Sequence, residues 1–156
     1  MKPLMILMLV VFMAIGCSTT KTYRGSNKDR DLLEKTSVAL RAAFADGDIA
    51  TIIAYHHPDV IKSLSPDKYL KNRDAVEADL IGTFKVFKVE FLENREESLL
   101  FQGETAVQSN LFVIKATPKN GGDPLLFKGR ALVVYVRYKK SPTGWASIRE
   151  VIQDFQ

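Results

Sequence analysis

Two neighbouring histidines suggest acid–base chemistry. His56 shares the apolar face of a predicted helix with Ile49, Ile52 and Ile53, at helical spacing i, i+3, i+4 and i+7. An imidazole on that face could act as a general base in an apolar pocket. It could equally be a buried core histidine satisfied by a backbone carbonyl, and the sequence leaves both open. His57 stands at the helix edge before a proline, which favours a capping or turn role.

Two carboxylates, a phenol and a guanidinium complete the candidate site. Asp59 opens a predicted short strand, and Asp79 flanks the inward face of a predicted helix. Either could be the base of raised pKa that an isomerase-type reaction needs, or a surface charge. Tyr55 could donate to a bound oxyanion or simply anchor a loop edge. Strand register cannot be read from sequence, so whether Arg149 meets Tyr135 in a pocket stays open.

The sequence predicts neither a metal site nor a cofactor. Adjacent histidines diverge by about 100° on a helix, so His56 and His57 make a poor metal pair. No second group of His with carboxylates occurs at ligand spacing. No Gly-x-Ser-x-Gly elbow is present. The glycine-containing segment 119–123 (KNGGD) lies between predicted strands, which excludes a phosphate-binding loop.

The single cysteine stands in an N-terminal secretory signal. Lys2 is followed by the apolar run Leu4–Ile15, which is shorter than the roughly 20 residues of a membrane-spanning helix. The segment Ala14–Cys17 (AIGC) resembles the lipobox of bacterial lipoproteins, in which the cysteine is lipidated and becomes the new N-terminus. An ordinary signal peptide or an uncleaved anchor is the alternative.

The lipobox resemblance implies a lipoprotein of the bacterial cell envelope. Residues 1–16 are then the signal peptide, residues 17–28 the lipidated Cys17 and a polar flexible tether, and residues 29–156 the folded domain. More than one acyl chain, such as palmitate, gives stable membrane attachment. Ser18, where an aspartate would favour the inner membrane, implies the outer membrane with the domain facing the periplasm.

Composition limits the remaining possibilities. The chain has 156 residues, of which 46% are hydrophobic, and a formal charge of +4. These values fit one folded domain and exclude wholesale disorder. The basic residues are dispersed, and an envelope protein rarely meets DNA or RNA, so we expect no nucleic-acid partner.

Hydrophobic periodicity predicts helices first and strands afterwards. A helix over residues 29–45 is followed by a second that carries His56 and stops before Pro58. A short strand at Val60 and Ile61 and a loop over residues 63–71 lead to a third helix, residues 73–84. Four strands are predicted at residues 87–92, 104–117, 125–139 and 145–155, and Glu93, Glu96 and Glu97 are assigned to a solvated loop. This order predicts an α+β domain.

The order of elements resembles the nuclear transport factor 2-like (NTF2-like) cone fold, shared by ketosteroid isomerase and SnoaL-type cyclases. The residues that carry the resemblance are Phe44–Asp48 (FADGD), His57–Val60 (HPDV), Asn72–Val76 (NRDAV) and Gly144–Arg149 (GWASIR). The resemblance implies three N-terminal helices packed on a strongly curved, mostly antiparallel sheet that encloses a pocket. Some members use the pocket for catalysis and others only for binding.

Two functions therefore remain open. The first is a non-catalytic lipoprotein whose cone binds a small apolar ligand or an envelope protein. The second is a cofactor-free isomerase, cyclase or hydrolase in which His56, Asp59 or Asp79 is the general base. The resemblance also implies a homodimer through the sheet. An enzyme needs a carboxylate or histidine beside a hydrogen-bond donor inside an apolar pocket.

Overall fold

The computed structural model describes residues 24–155, so the predicted signal peptide and Cys17 lie outside the described residues. Three helices and six strands follow one another along the chain. In order they are α1 Asn27–Asp46, α2 Ile49–Ala54, β1 His56–Ser65, β2 Lys68–Leu70, α3 Arg73–Val86, β3 Phe87–Gln102, β4 Thr105–Pro118, β5 Leu125–Arg137 and β6 Trp145–Asp154.

Polar side chains cap the start of each helix. Ser26 accepts a hydrogen bond from the Asp29 amide, and Asn72 accepts one from the Ala75 amide, so donors that the first turn leaves free are satisfied. Between α1 and α2, Gly47 adopts φ 68°, a left-handed conformation that glycine takes without the clash of a Cβ. The predicted junction of the first two helices is therefore present in the structure.

The six strands form one sheet in the order β2-β1-β6-β5-β4-β3. β1 pairs with β6 in parallel, whereas the other neighbours are antiparallel, so the sheet is mixed. β3, β4 and β5 are long, and bulges interrupt the pairing within β3. Bulges increase local twist, which suits the curvature of a sheet that wraps around helices. The α+β prediction is confirmed.

Three local predictions were wrong. His56 begins β1 instead of ending a helix, because α2 stops at Ala54 and the Tyr55 carbonyl accepts a hydrogen bond from the Ser147 amide of β6. The segment predicted as a loop over residues 63–71 contains the end of β1 and all of β2. The glutamate-rich segment predicted as a solvated loop is the middle of β3. In each case sheet pairing overrides the local preference.

A bulge in β6 changes which side chains share a face. Val134 pairs with Arg149, but Tyr135 pairs with Ser147, so Ile148 is an extra residue. Strict alternation along β6 would place Ser147 on one face and Glu150 on the other. The bulge instead places both on the inner face with Val133 and Tyr135.

All six strands of the described residues are paired in one sheet, and the helices contribute residues to the two apolar clusters. Between Arg24 and Phe155, no helix is long and apolar enough to cross a membrane.

Candidate functional site

The buried apolar residues divide into two clusters instead of one continuous core. One lies under the start of α1, and the other lies among α2, α3 and the start of β3. The buried members of the first are Leu33, Leu99, Phe101, Ala106, Val133, Tyr135 and Trp145. Those of the second are Ala43, Ile52, Val60, Val76, Leu80, Phe84 and Val89.

Buried polar side chains occupy the inner face of the sheet beside these clusters. Five such residues, His56, Gln108, Asn110, Ser147 and Glu150, are buried, and they come from three strands, β1, β4 and β6. Because buried polar groups are costly unless they are hydrogen-bonded, such a concentration is the default place to look for a binding site.

The centre of this polar set is an ionic triad across β1 and β6. Glu150 places one carboxylate oxygen 2.7 Å from Lys62 Nζ and the other 3.1 Å from His56 Nε2. Lys62 and Glu150 are register partners in the parallel β1–β6 pair, which brings their side chains together. The same strands place His56 opposite Ser147. A break in the β1–β6 register lies between these two contacts.

One nitrogen of His56 is fixed by the backbone. Nδ1 lies 2.8 Å from the carbonyl oxygen of Ile52, an acceptor only, so Nδ1 carries a proton and donates. Nε2 lies close to the Glu150 carboxylate, but its N–H direction does not meet that oxygen in hydrogen-bond geometry. The contact is therefore one of charge proximity, and Nε2 is left with an unused hydrogen-bonding position.

The triad keeps Glu150 ionised. Burial by itself would raise the pKa of Glu150, but the charges of Lys62 and His56 and their contacts with the carboxylate outweigh it and hold that pKa well below its ordinary value. Glu150 is thus a poor proton acceptor at neutral pH. It acts here as the counter-ion of Lys62, with His56 Nε2 beside its other oxygen.

A chain of polar contacts continues across the sheet from this triad. On β5, burial and the charge of Glu150 raise the pKa of Tyr135. The Tyr135 hydroxyl donates to Gln108 Oε1 at 3.4 Å, and Gln108 Nε2 donates to Glu96 at 3.0 Å. Glu96 lies 3.4 Å from the Arg30 guanidinium of α1. Polar contacts therefore run from Tyr135 on β5 through β4 and β3 to α1, and the charge of Glu150 acts on Tyr135 without a hydrogen bond between the two.

Three buried polar atoms have no hydrogen-bond partner among residues 24–155: His56 Nε2, Ser147 Oγ and Trp145 Nε1. Ser147 and His56 are each 2% exposed and face one another across the β1–β6 pair. Ser147 is also the register partner of Tyr135. A donor or acceptor supplied from outside the chain would remove the cost of leaving these atoms unpaired.

No family model matches the sequence, and no curated protein matches it. Solved structures match the fold. A scytalone dehydratase-like protein from Novosphingobium aromaticivorans has a TM-score of 0.75 at 14% identity, over 82% of this chain and 85% of that one. A ketosteroid isomerase-like protein from Erwinia carotovora atroseptica has a TM-score of 0.64 at 16% identity, over 84% and 99%. An NTF2-like superfamily protein from Salmonella enterica serovar Typhimurium has a TM-score of 0.64 at 14% identity, over 83% and 91%.

The chain has the NTF2-like fold. This confirms the fold predicted from the resemblance, with β1 and β2 inserted between the second and third helices. At these identities the likeness is one of fold, so what this NTF2-like domain does must be argued from its own side chains.

The structure separates the predicted site residues. His56 lies in the triad, on the inner face of the NTF2-like sheet. Asp59 is exposed, and its backbone carbonyl accepts from Arg149, itself exposed. Asp79 forms an ion pair with Lys68 of β2. Tyr55 caps α2, and burial raises its pKa. Of the candidates, therefore, His56 alone joins the buried polar set.

Four residues of the buried polar set were not predicted from sequence as site residues, and neither was Lys62 of the triad. The four are Gln108, Asn110, Ser147 and Glu150. The one available signal was a charged or amide side chain in the middle of a β-rich segment, as at Gln108 and Glu150. Strict alternation along β6 would put Glu150 on the face opposite Ser147. The sequence gives no sign of the bulge that turns Glu150 to the inner face.

Two other features of the described residues bear on ligands. Between Arg24 and Phe155, no group of three or more His, Cys, Asp or Glu side chains is arranged to hold a metal ion. A depression of about 420 Å³ lies at the β3–β4 hairpin, lined by Leu100, Phe101, Gln102, Thr105 and Val107. It lacks titratable side chains and lies away from the triad, so we do not assign it chemistry.

Proposed function

We propose that this NTF2-like domain binds a small, largely apolar ligand, with the ligand's polar group against His56 and Ser147. The observation that carries the proposal is a pair of buried atoms that make no hydrogen bond within the described residues, His56 Nε2 and Ser147 Oγ, on residues that are register partners across β1 and β6. The Glu150 carboxylate lies 3.1 Å from Nε2 as a charge contact. An unmade hydrogen bond in the interior costs about 1–3 kcal/mol per group, which a bound polar atom would recover.

The surroundings fit a mostly apolar ligand. Val133 and Phe112 lie on the same inner face as Gln108 and Glu150. Val133 also belongs to the first apolar cluster. The charges of Glu150 and Lys62 are paired with one another, so the site offers few unpaired charges to a ligand. Hydroxyl or carbonyl groups suit such a site better than a carboxylate or an ammonium group.

Native mass spectrometry tests this proposal. The chain from Ser18 onwards is produced in a bacterial periplasm and purified gently. We expect a reproducible mass above that of the polypeptide, and its loss in Ser147→Ala, which removes one of the two unpaired atoms. Ser109→Ala is the matched control, because that hydroxyl donates to Glu97 on the exposed part of the sheet. A bare mass in the parent protein, even after incubation with a cell extract of small molecules, contradicts ligand binding.

Acid–base catalysis is the second candidate, and the geometry of His56 favours it over catalysis by a carboxylate. The Ile52 carbonyl accepts a hydrogen bond from Nδ1 and fixes the ring, which leaves Nε2 buried beside the Glu150 carboxylate. Two structures of similar fold are described as scytalone dehydratase-like and ketosteroid isomerase-like. A cofactor-free isomerase, cyclase or hydrolase would then use the neutral form of His56 as its base, accepting the proton at Nε2. The Glu150 carboxylate, 3.1 Å away, would stabilise the imidazolium that forms.

Incubation of the captured ligand with fresh protein separates the two candidates. Catalysis predicts a changed ligand mass or an isomer resolved by chromatography, and its loss in His56→Gln. A ligand that is bound and returned unchanged supports binding without chemistry. The buried set must stay folded in this variant, which the fluorescence of Trp145 reports.

The predicted envelope location remains part of the proposal. We propose that Cys17 is acylated and holds the domain at the outer membrane, facing the periplasm. The support is the AIGC segment after a short apolar run. Cys17→Ala should abolish labelling by a palmitate analogue and release the protein from membranes. Continued acylation in this variant would contradict the assignment.

We also propose a homodimer through the outer face of the sheet. Leu132 and Val151 are paired neighbours on β5 and β6, and each is about half exposed. Val134 is next on the same face. Sedimentation equilibrium should show a dimer that Leu132→Glu dissociates. A monomer at high concentration favours another envelope protein as the partner of this face.

A further inference from the structure

One end of the sheet combines exposed apolar side chains with lysines. Here α3 ends, β3 begins, β4 ends and β5 begins, because Phe87 pairs with Pro118 and Ala116 with Leu125. The Lys119 amide also donates to the Val86 carbonyl at 2.8 Å. We call this region the apolar–basic end. Its members are Lys85, Val86, Lys88, Lys115, Lys119, Leu125, Leu126, Phe127 and Lys128.

Three of the four apolar members, Leu125, Leu126 and Phe127, are consecutive residues of β5, and their side chains are exposed on both faces of that strand. Leu125, Leu126 and Phe127 are 46%, 58% and 41% exposed, and Val86 is 46% exposed. Leu126 lies on the outer face of β5, and its two neighbours lie on the inner face. A protein partner would cover one face of the strand. A membrane surface into which the start of β5 inserts would cover both faces of the strand.

The lysines outnumber the nearby carboxylates. Lys88 and Lys115 share a single partner, Glu90, and Lys119 Nζ donates to the Phe84 carbonyl at 2.5 Å. Lys85 and Lys128 form no ion pair within the described part of the chain. The other acids near this end are Asp123 in the β4–β5 loop and Asp154 opposite Gly129. The end therefore carries a positive excess.

We propose that the apolar–basic end binds the surface of an anionic phospholipid bilayer. Leu125, Leu126 and Phe127 insert at the boundary of headgroups and acyl chains, and the lysines contact phosphate groups. Apolar area and positive charge together are what such a surface recognises. This contact is separate from the proposed ligand site, since none of its residues belongs to the buried polar set.

The contact is also separate from the lipid anchor. Gly25, just before α1, lies against Phe101, since a Cβ on Gly25 would be 2.4 Å from that ring. Phe101 is near the far end of β3, and at roughly 3.3 Å per residue it lies up to about 45 Å from Phe87. Gly25 and the apolar–basic end thus lie toward opposite ends of β3. A domain held at both points lies lengthwise on the membrane.

Vesicle co-sedimentation tests the proposal on the unlipidated chain from Ser18. One set of vesicles contains phosphatidylcholine with a third phosphatidylglycerol, and the other contains phosphatidylcholine alone. We expect binding to the anionic set that falls as salt is raised. Leu126→Glu should abolish it. Leu100→Glu, a leucine 51% exposed near the opposite end of β3, should leave it unchanged.

The lysines give a second measurement that does not depend on the apolar tip. Lys85→Gln and Lys128→Gln should each weaken binding to anionic vesicles by about fivefold, since a lysine near such a surface contributes about a factor of five. Absence of binding to anionic vesicles overturns the proposal. So does equal binding by parent and Leu126→Glu. Self-association that Leu126→Glu abolishes, without vesicle binding, would show that a second copy of this chain covers the end.

Discussion

Replacement of Lys62 by methionine tests the ionic triad directly. Methionine keeps most of the side-chain length but removes the ammonium group that lies 2.7 Å from the Glu150 carboxylate. Glu150 is then a buried anion whose remaining partner is His56, at 3.1 Å from the other oxygen. Breaking a buried ion pair from one side leaves a charge without full compensation, which is more costly than replacing both members.

The expected loss follows from burial. Removal of one partner of a buried pair costs about 3–5 kcal/mol. The Lys62 side chain is 16% exposed and His56 remains as a partner, so we expect the lower limit, about 3 kcal/mol at neutral pH. For a domain of this size that corresponds to a fall in Tm of roughly 10 °C. The double variant Lys62→Met/Glu150→Gln should recover most of the loss, because no buried anion remains.

The loss of stability in Lys62→Met should depend on pH. The folded-state pKa of Glu150 is held well below its unfolded value. Its contribution to stability is therefore fully present above an unfolded pKa of about 4.3 and disappears as pH falls through the folded-state pKa. Lys62→Met removes the main charge that lowers this pKa. The difference in stability between parent and variant should thus shrink as pH falls from about 7 to about 3.

Urea unfolding is the assay, with fluorescence from Trp145, the single tryptophan and fully buried. Lys68→Met is the matched control. Lys68 is also paired with a carboxylate, that of Asp79, but its side chain is 47% exposed, so we expect a loss below about 1 kcal/mol. A loss for Lys62→Met no larger than that of the control, or one that does not change with pH, would refute the account of the triad.

Three further substitutions test the scaffold that positions the site. Gly129→Ala should destabilise the domain by about 1–3 kcal/mol or more, because a Cβ there would lie 2.4 Å from the Gln153 carbonyl oxygen; an unchanged urea midpoint would show that β5 and β6 can separate freely. Asn72→Ala should lower the free energy of unfolding by about 1 kcal/mol, since the Asn72 side chain accepts a hydrogen bond from the Ala75 amide at the start of α3. Asn72→Asp keeps the acceptor, so its free energy of unfolding should stay close to that of the parent. Ile52→Ala should cost about 2–5 kcal/mol by calorimetry because the side chain is 0% exposed, and a smaller loss would mean that the second apolar cluster closes over the gap.

The local elements were largely predictable from the sequence. Helix caps, the glycine between α1 and α2, and the change from helical to strand periodicity are properties of neighbouring residues. They predicted α1, α3, β4, β5 and β6 with ends that differ by a few residues from those in the structure, whereas β3 was predicted only as far as residue 92 of its 87–102 span. The resemblance of four short segments to the NTF2-like fold was confirmed by structures of similar shape.

The site was only partly predictable. His56 was correctly expected to be buried, although from an incorrect helical assignment, and the alternative of an imidazole bonded to a backbone carbonyl is present as the contact with Ile52. Asp59, Asp79 and Arg149 were candidates on residue type alone. The structure places Asp59 and Arg149 at the surface and pairs Asp79 with Lys68.

The triad depended on tertiary structure. Lys62 and Glu150 are 88 positions apart in the sequence, and only the parallel pairing of β1 with β6 makes them neighbours. The extra residue Ile148 then turns Glu150 to the inner face with Ser147. Short-range patterns in a sequence specify helices, turns and strand faces, because those depend on neighbours along the chain. Register and bulges are set by contacts between distant strands, and here these contacts determine which polar groups meet in the interior.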